Sequence, residues 1–260
     1  MDFTLKRYQK LLFALKDRGV RFITYNNYCA DKEYGGDVQR TILRHDVDLL
    51  PHRSLETAIL ENSLGIVATY YFRIVPESYN EEVIREIASL GHEIGYHYED
   101  LVLTNGDIDK AYTHFKDKLT LLRKLYPVST ICMHGSPKFP IDPKKLWKKY
   151  NYRDLGIIGE PYIDTNWDNV FYLTDTGRRW DGFKVSRRDK IETHQPLWDK
   201  AGLTAHNTNG VINLFNSNKL NEFGTVMITT HPQRWTNSKV AWFKELVVQN
   251  IKNIIKMMLK

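Results

Sequence analysis

The stretch LRHDVDLLPH, residues 43–52, changes within a few positions from apolar side chains to a dense group of ionisable ones. Side chains of an extended chain alternate between two faces, so Arg44, Asp46 and Asp48 would share one face and His45 the other. An unpaired carboxylate in an apolar interior is strongly unfavourable, so both aspartates need a compensating cation. From this stretch alone, either Arg44 or a bound metal ion could supply that cation.

The chain on both sides of this strand alternates between strand-like and helix-like patterns. Short runs rich in β-branched and aromatic residues predict strands at residues 21–26, 41–48, 66–75, 92–98, 128–135, 154–159, 170–175 and 225–232. Amphipathic periodicity predicts helices at residues 1–19, 52–65, 80–91, 107–126, 142–150, 210–220 and 239–259. Such alternation favours parallel strands joined by crossover helices, and about seven strands in one domain favour a barrel similar to the TIM barrel.

Length and composition fit a single globular α/β domain over residues 1–260. No linker-like stretch and no repeat of fixed period divides the sequence. The net charge of +6 and a pI close to 9.1 favour anionic partners such as phosphates, acidic sugars or a membrane surface. Nucleic acid is not expected as a partner, because the basic residues are scattered and no recognition motif occurs.

The sequence contains no recognisable transmembrane span and no secretory signal, because charged residues interrupt its apolar runs. Its two cysteines, Cys29 and Cys132, have neither the spacing of a metal site nor the density of a disulfide scaffold. Two isolated cysteines suit a reducing compartment. We therefore expect a cytoplasmic protein.

Polar clusters lie at or just after the C-terminal ends of five predicted strands. Their sequences are RHDVD, YHYED, MHG, LTD and THPQRW. The carboxyl ends of parallel strands meet at one end of a barrel, and barrels of this type carry their chemistry there. We therefore expect the five clusters to face one mouth.

Three of these motifs, in this order, resemble those of the polysaccharide deacetylase family, also called NodB-like proteins or carbohydrate esterases, over about residues 40–235. HDVD is similar to the family's paired aspartates, GHEIGYH to the stretch that carries a metal-binding histidine, and MITTHPQRW to the motif with the catalytic histidine. The N-terminal helix and HPQRW are most similar to divergent members of bacterial surface-polysaccharide biosynthesis. The resemblance implies a distorted (β/α)7-type barrel and a metal-dependent deacylase.

The resemblance also implies roles for individual residues. Carried over position by position, it makes Asp46 the catalytic base, Asp48 and His97 metal ligands, and His231 the general acid. The family's second metal histidine would fall four residues after His97, where this chain has Leu101. The chain therefore departs from the family at one ligand position.

Two other side chains could fill this gap. Glu99 lies two residues after His97, and His134 lies at the end of the next predicted strand. We favour His134 as the third ligand, because imidazole suits zinc better than a second carboxylate. Glu99 stays the alternative.

The combined set of residues would support hydrolysis of an amide. One divalent ion, expected to be Zn²⁺, would acidify a water molecule and polarise the acyl oxygen. Asp46 would accept the proton of that water, and His231 would protonate the leaving nitrogen. Arg44, on the same strand face, would keep Asp46 ionised in place of the family's third-motif arginine, and Asp175 is a candidate to orient His231.

Substrate contacts are expected from two segments. Arg234 and Trp235 offer anion-binding and sugar-stacking chemistry, and Arg178 and Trp180 could bind a phosphate or uronate group, although RRWDG fits an ordinary charged surface equally well. The last helix carries a broad apolar face that predicts packing against the core rather than contact with a membrane. That face consists of Trp242, Phe243, Leu246, Val247, Ile251, Ile254, Ile255 and Met258.

The leading hypothesis is a cytoplasmic metal-dependent deacylase that removes an N-acyl group from a sugar used in surface-polysaccharide or lipopolysaccharide biosynthesis. The alternative is a degenerate barrel that binds glycan without hydrolysing it, and Leu101 motivates this reading. A metallohydrolase for a non-sugar amide is a third reading, which rests on analogy of fold alone. The metal content of the purified protein separates the first two.

Overall fold

A computed structural model describes residues 1–30, 38–135, 141–186 and 188–258, with side chains up to residue 255. The strands within these residues are β1 (Arg21–Ile23), β2 (Arg40–Val47), β3 (Thr69–Phe72), β4 (Glu93–Tyr98), β5 (Ile131–Met133), β6 (Val170–Thr174) and β7 (Thr225–Thr230). The α-helices are α1 (Leu5–Asp17), α2 (Tyr25–Ala30), α3 (Pro51–Ser63), α4 (Glu81–Ser89), α5 (Asp100–Leu103), α6 (Ile108–Arg123), α7 (Pro161–Asp164), α8 (Gln195–Lys200), α9 (Thr208–Asn216) and α10 (Lys239–Met258).

All seven strands run parallel in one sheet. Six of them follow the order β5-β4-β3-β2-β7-β6, and β1 pairs with β2. Strand β2 lies at the centre: along one edge residues 40–42 pair with β1 and residues 44–47 pair with β3, and β7 covers the other edge. The sheet curls into a half-barrel, and no ladder joins β5 to β6 among the described residues. The predicted α/β class, with parallel strands in a (β/α)7-type arrangement, is confirmed.

The prediction of a strand at residues 154–159 is wrong. The chain forms a 3₁₀ helix at Tyr152–Leu155, and Gly156 ends it in the left-handed region with φ 71°. Only Gly159 then reaches the sheet, through a single bridge to Thr130. Gly156 allows the chain to turn here, and the apolar residues that follow it are too few to form a strand.

Other differences concern the lengths of elements. The strands predicted at residues 66–75 and 128–135 shorten to β3 and β5, and the helix predicted at 142–150 is a 3₁₀ helix at Pro143–Lys148. Helices α2, α5, α7 and α8 have four to six residues each, and no helix was predicted at their positions. Segments this short carry too little periodicity to be recognised, because tertiary packing rather than their own pattern stabilises them.

The two faces of β2 are occupied as the alternation of side chains predicts. Asp46 faces the cavity at the end of the sheet, and the His45 ring lies 2.7 Å from the Glu61 carboxylate. Glu61 is fully buried and also accepts hydrogen bonds from the hydroxyls of Tyr8 and Tyr70. Burial opposes the charge of Glu61, but His45 holds the pKa of its carboxyl below the usual value. Charges on both faces of this buried strand are therefore paired.

Helix α10 turns its polar side inward, so the prediction that its apolar face packs on the core is wrong. Gln249 and Asn253 are buried, and the Asn253 amide donates to the Gly177 carbonyl at 2.9 Å. Phe243 and Ile251 are exposed instead. Periodicity locates an apolar face on a helix but does not say what covers it. The predicted helix end at residue 259 lies outside the described residues.

Within the described ranges, no helix combines the length and the apolar character that crossing a bilayer requires.

Candidate metal and catalytic site

A cavity of about 640 Å³ opens at the carboxyl end of the sheet. Charged and hydrogen-bonding side chains from the ends of six strands line it: Asp46 and Asp48 at β2, Arg73 after β3, His97 and Glu99 at β4, His134 after β5, Thr176 after β6, and His231 and Arg234 after β7. The structure therefore brings the polar clusters of the sequence to one mouth, because parallel strands end at the same edge.

Three side chains in this cavity have the geometry of a metal site. The Nε2 atoms of His97 and His134 lie 3.6 and 3.5 Å from Oδ1 of Asp48, and the three ligand atoms all lie within 4.8 Å of one another. Ligands about 2.0–2.2 Å from a tetrahedral zinc ion would be roughly 3.3–3.6 Å apart. Within the described residues, Oδ1 of Asp48 is buried and has no hydrogen-bond partner. These residues therefore fit a divalent ion.

Hydrogen bonds on the far side of both imidazoles fix their orientation. His97 donates from Nδ1 to the Cys132 carbonyl at 2.9 Å, and His134 donates from Nδ1 to the Glu99 carboxylate at 2.8 Å. In the neutral imidazole that metal binding requires, this leaves the lone pair on each Nε2, the atom nearer to Asp48. Glu99, the alternative third ligand, is instead the partner of His134.

A second group of possible ligand atoms consists of Asp46, His97 and the thiol of Cys132. Burial raises the pKa of the Cys132 thiol well above its usual value, so the thiolate that a metal needs is disfavoured. Asp46 is also engaged by an arginine. The group around Asp48 is therefore the better metal site.

Glu99→Gln tests this arrangement. Glu99 also accepts a hydrogen bond from Nε of Arg73 at 2.7 Å. The neutral amide of glutamine therefore weakens the contact with the His134 ring and the contact with Arg73 that holds residue 99 in place. We expect the affinity for Zn²⁺ to fall about tenfold or more, the usual cost of removing a carboxylate behind a metal-bound histidine. Competition with a chromophoric chelator measures this. Glu192→Gln, at an exposed glutamate, is the control, and equal affinities in the two variants would contradict the role of Glu99.

Asp46 is held by a buried arginine on the same strand face. Arg44 donates from Nε and Nη2 to the two carboxylate oxygens of Asp46 at 2.9 and 2.7 Å, and Nη2 also donates to the hydroxyl of Tyr162. Burial opposes the charge of Asp46, but Arg44 keeps the pKa of its carboxyl below the usual value. Oδ2 of Asp46 lies 3.9 Å from Nε2 of His97. An ionised carboxylate therefore stands beside the metal site.

His231 stands on another side of the same site. Its Nδ1 donates to Asp175 at 2.6 Å, and its Nε2 lies 3.9 Å from Oδ2 of Asp48. Asp175 accepts further hydrogen bonds from Arg234 and from the indole of Trp235, both at 2.7 Å. Burial and Arg234 oppose the charged imidazole, but Asp175 and Asp48 outweigh them and raise the pKa of His231.

Three residues expected to bind substrate lie away from this cavity in the described part of the chain. Trp180 and Trp235 are 2 % and 1 % exposed, so neither ring can stack on a sugar. The Trp180 indole donates to Thr208. Arg178 is buried beside the Phe3 and Trp242 rings. These positions correct the expected contacts, and only Arg234 lines the cavity.

Sequence reasoning missed Asp189, which closes one wall of the cavity. It accepts hydrogen bonds from the hydroxyls of Tyr162, Tyr172, Thr174 and Thr176. Burial opposes its charge, but His231 and Arg44 hold the pKa of its carboxyl far below the usual value. Asp189 lies in a run of mixed charges without a recognisable motif, so nothing in the sequence distinguishes it.

Leu101, at the position where the resemblance implies a histidine, packs into the hydrophobic core. It belongs to the short helix α5, whose following residues Val102 and Leu103 line the cavity. His134 approaches the Asp48 oxygen from the neighbouring strand. The third candidate ligand therefore lies just after β5 instead of after β4.

Comparisons with known proteins show similarity to solved structures, among them two from Bacillus subtilis. No family model matches the sequence, and no curated protein sequence matches it significantly. A mutant of the peptidoglycan deacetylase PdaC from Bacillus subtilis is 13 % identical with a TM-score of 0.38, over 87 % of this chain and 100 % of that one. PdaA from Bacillus subtilis, a family 4 carbohydrate esterase, is 13 % identical with a TM-score of 0.39, over 94 % and 84 %. Similarities this distant carry no argument about the activity of this chain.

Proposed function

We propose that this chain is a metal-dependent amide hydrolase that removes an N-acyl group from a sugar. The observation that carries the proposal is the arrangement around Asp48. Two oriented histidines complete a set of three candidate ligand residues. The ionised carboxylate of Asp46 lies 3.9 Å from His97, and a third imidazole, that of His231, lies 3.9 Å from Asp48. Three protein ligands are typical of catalytic zinc sites, whereas structural zinc sites have four.

In this proposal Asp48, His97 and His134 hold the ion. When bound, the ion lowers the pKa of a water molecule and polarises the acyl oxygen. The residues on the far side of each ligand keep the ligand atoms in place. They are the carbonyl of Cys132 and the carboxylate of Glu99.

Proton transfers then fall to Asp46 and His231. The attacking water forms a bond to the acyl carbon and gives a proton to Asp46, whose oxygens keep a second lone pair beyond the Arg44 contacts. The C–N bond breaks as His231 donates its Nε2 proton to the leaving nitrogen. The products are a carboxylic acid and an amino sugar, and proton exchange with solvent restores both side chains.

The nature of the substrate is inferred from the cavity and from the motif resemblance. Arg73, Arg234 and Lys252 line the cavity, so a sugar that carries a phosphate or a uronate would find cationic partners. The motifs support a place in surface-polysaccharide or lipopolysaccharide biosynthesis. The cytoplasmic location stays a prediction.

Metal analysis and a substrate panel test the proposal. We expect one Zn²⁺ per chain after chelation and reloading, and release of acyl acid from at least one of the free, nucleotide-linked and lipid-linked N-acyl sugars. N-acyl amino acids should not be cleaved. A reloaded chain without metal would overturn the proposal. A chain that holds metal, binds glycan and cleaves no substrate would favour the non-catalytic barrel, and cleavage of N-acyl amino acids alone would favour a non-sugar amide.

His134→Ala isolates the third ligand. Loss of one of three protein ligands should weaken Zn²⁺ binding by about an order of magnitude or more, since outer partners alone account for that much. Isothermal titration with Zn²⁺ measures the change. The control is His194→Ala, which removes a histidine paired with Asp168 outside this cavity. If the His134 variant bound Zn²⁺ as the parent does, Asp48 and His97 would hold the ion without it.

A further inference from the structure

Helix α10 presents an apolar stripe to solvent. Val240, Phe243, Val247, Ile251 and Ile254 follow one another at intervals of three or four residues and are 81 %, 62 %, 41 %, 53 % and 49 % exposed. Helices on the surface of globular proteins normally show the reverse, with apolar side chains inward and polar ones outward. An exposed stripe of this size marks a contact surface.

Specific contacts along the inner side hold the helix in this orientation. The Trp242 indole donates to the Asp2 carbonyl at 2.6 Å near the start of α10. Further along, the Gln249 amide donates to Asn253, and Asn253 donates to the Gly177 carbonyl, two residues after Asp175. A rotation that buried the apolar stripe would break the two hydrogen bonds that join α10 to Asp2 and Gly177 and would leave these polar groups without their partners.

The stripe runs to the mouth of the cavity that holds the proposed metal site. Ile255 and Lys252 of α10 line this cavity together with Leu49, from the loop after β2, and Leu103, the last residue of α5. Ile255 and Leu103 are 50 % and 48 % exposed. A polar, carboxylate-bearing cavity therefore opens between apolar side chains on two sides.

The charges of α10 indicate which surface covers the stripe. The helix contains four lysines, at positions 239, 244, 252 and 256, against the single glutamate Glu245, a net charge of 4 − 1 = +3, in a chain of net charge +6. A second copy of the chain would place lysines opposite lysines beside the apolar seam, where paired helices need opposite charges. An anionic lipid surface complements the same charges and takes up the apolar side chains.

We propose that α10 is an interfacial helix that lays its apolar stripe on an anionic lipid bilayer and sets the cavity mouth at the lipid surface. Resting on the proposed function, this geometry also assigns the substrate class: an N-acyl sugar attached to a lipid carrier. The carrier chain stays among the lipids beside Leu103 and Ile255, and the sugar enters the polar cavity.

Flotation of the full chain with lipid vesicles tests the docking surface. We expect binding to vesicles of phosphatidylglycerol and phosphatidylcholine in equal parts, weaker binding to pure phosphatidylcholine, and release as salt rises. The double variant Phe243→Gln/Ile251→Gln should bind at least about tenfold more weakly, because two large apolar side chains are lost from the stripe. The control Phe13→Gln/Ile59→Gln, at exposed positions of α1 and α3, should bind as the parent does.

Three results would overturn the docking surface. The first is absence of binding by the parent to either vesicle, and the second is equal binding by the Phe243/Ile251 variant. The third is a parent that sediments as a dimer and a variant that sediments as a monomer, since the stripe would then cover a second copy.

The substrate class has its own test. Phe243 and Ile251 are not among the residues that line the cavity, so the double variant should cleave a water-soluble N-acyl sugar at the parent's rate. It should cleave a lipid-linked N-acyl sugar in anionic vesicles about tenfold or more slowly than the parent, in line with its weaker binding. Equal rates on the vesicle substrate would overturn the substrate class. A parent that binds vesicles but cleaves no N-acyl sugar would contradict the proposed function and leave the docking surface standing.

Discussion

Asp46→Asn should lower turnover by about two orders of magnitude or more, the usual contribution of a positioned proton acceptor. The amide has the size of the carboxylate but cannot take a proton from the attacking water. Zn²⁺ content should stay at the parent's value, because the three ligand atoms belong to Asp48, His97 and His134. Rates on the best N-acyl sugar and metal content, measured on the same samples, test both expectations.

The same substitution has a cost in stability, because Arg44 is fully buried and loses the charge of its partner. Breaking a buried ion pair costs about 3–5 kcal/mol of unfolding free energy, and the amide oxygen of asparagine recovers part of it by accepting one hydrogen bond. Thermal melting must therefore accompany the kinetics. Arg44→Lys is a second variant that keeps a cation beside Asp46, and we expect it to retain more turnover than Asp46→Asn.

The chain contains a matched control for Asp46→Asn. Arg179 donates from Nε and Nη2 to both oxygens of Asp181 at 2.7 and 2.8 Å, with the same spacing of two residues as Arg44 and Asp46. Asp181 is buried and does not line the cavity, and Arg179 is half-exposed. Asp181→Asn should therefore lose some stability and keep the parent's turnover. Full turnover in a folded Asp46→Asn variant would remove Asp46 from the mechanism.

The parts of the site that follow from strand geometry could be predicted from the sequence. Alternation along β2 places Arg44, Asp46 and Asp48 together, and the parallel direction of the strands brings His97 and His231 to the same edge. These relations need only local periodicity and chain direction. Asp175 accepts a hydrogen bond from His231, since the two strand ends are neighbours in the sheet, and its role in orienting His231 stays a prediction.

The parts that depend on tertiary burial could not be predicted. Trp235 follows the HPQRW motif in the sequence, but its ring is buried and its indole holds Asp175. Asp189 reaches the cavity from an irregular segment without a pattern. The apolar face of α10 has a clear periodicity, and only the contacts of Gln249 and Asn253 reveal that it points outward. Periodicity specifies a face, whereas the neighbours of that face depend on the whole fold.

His231→Gln should retain Zn²⁺ and lose about a hundredfold or more in turnover, because it removes the group proposed to protonate the leaving nitrogen. Glutamine can still donate to Asp175, so the local hydrogen bonds are largely kept. A barrel that only binds glycan has no leaving nitrogen, and the same substitution would then change binding alone. Equal turnover in variant and parent on a cleaved substrate would show that the acid lies elsewhere.

The pH profile distinguishes an acid at His231 from a merely structural histidine. Burial and Arg234 oppose the imidazolium, but Asp175 holds the pKa of His231 above its usual value. Because the protonated form is the acid, turnover should hold below that pKa and fall as pH rises through it. Asp175→Asn removes the largest contribution that favours the charged imidazole of His231. The pKa of His231 therefore falls, and the alkaline limb of the profile should move to lower pH. Asp168→Asn, beside His194, is the matched control and should leave the limb in place. A limb that stayed unchanged in Asp175→Asn would mean that another group titrates there.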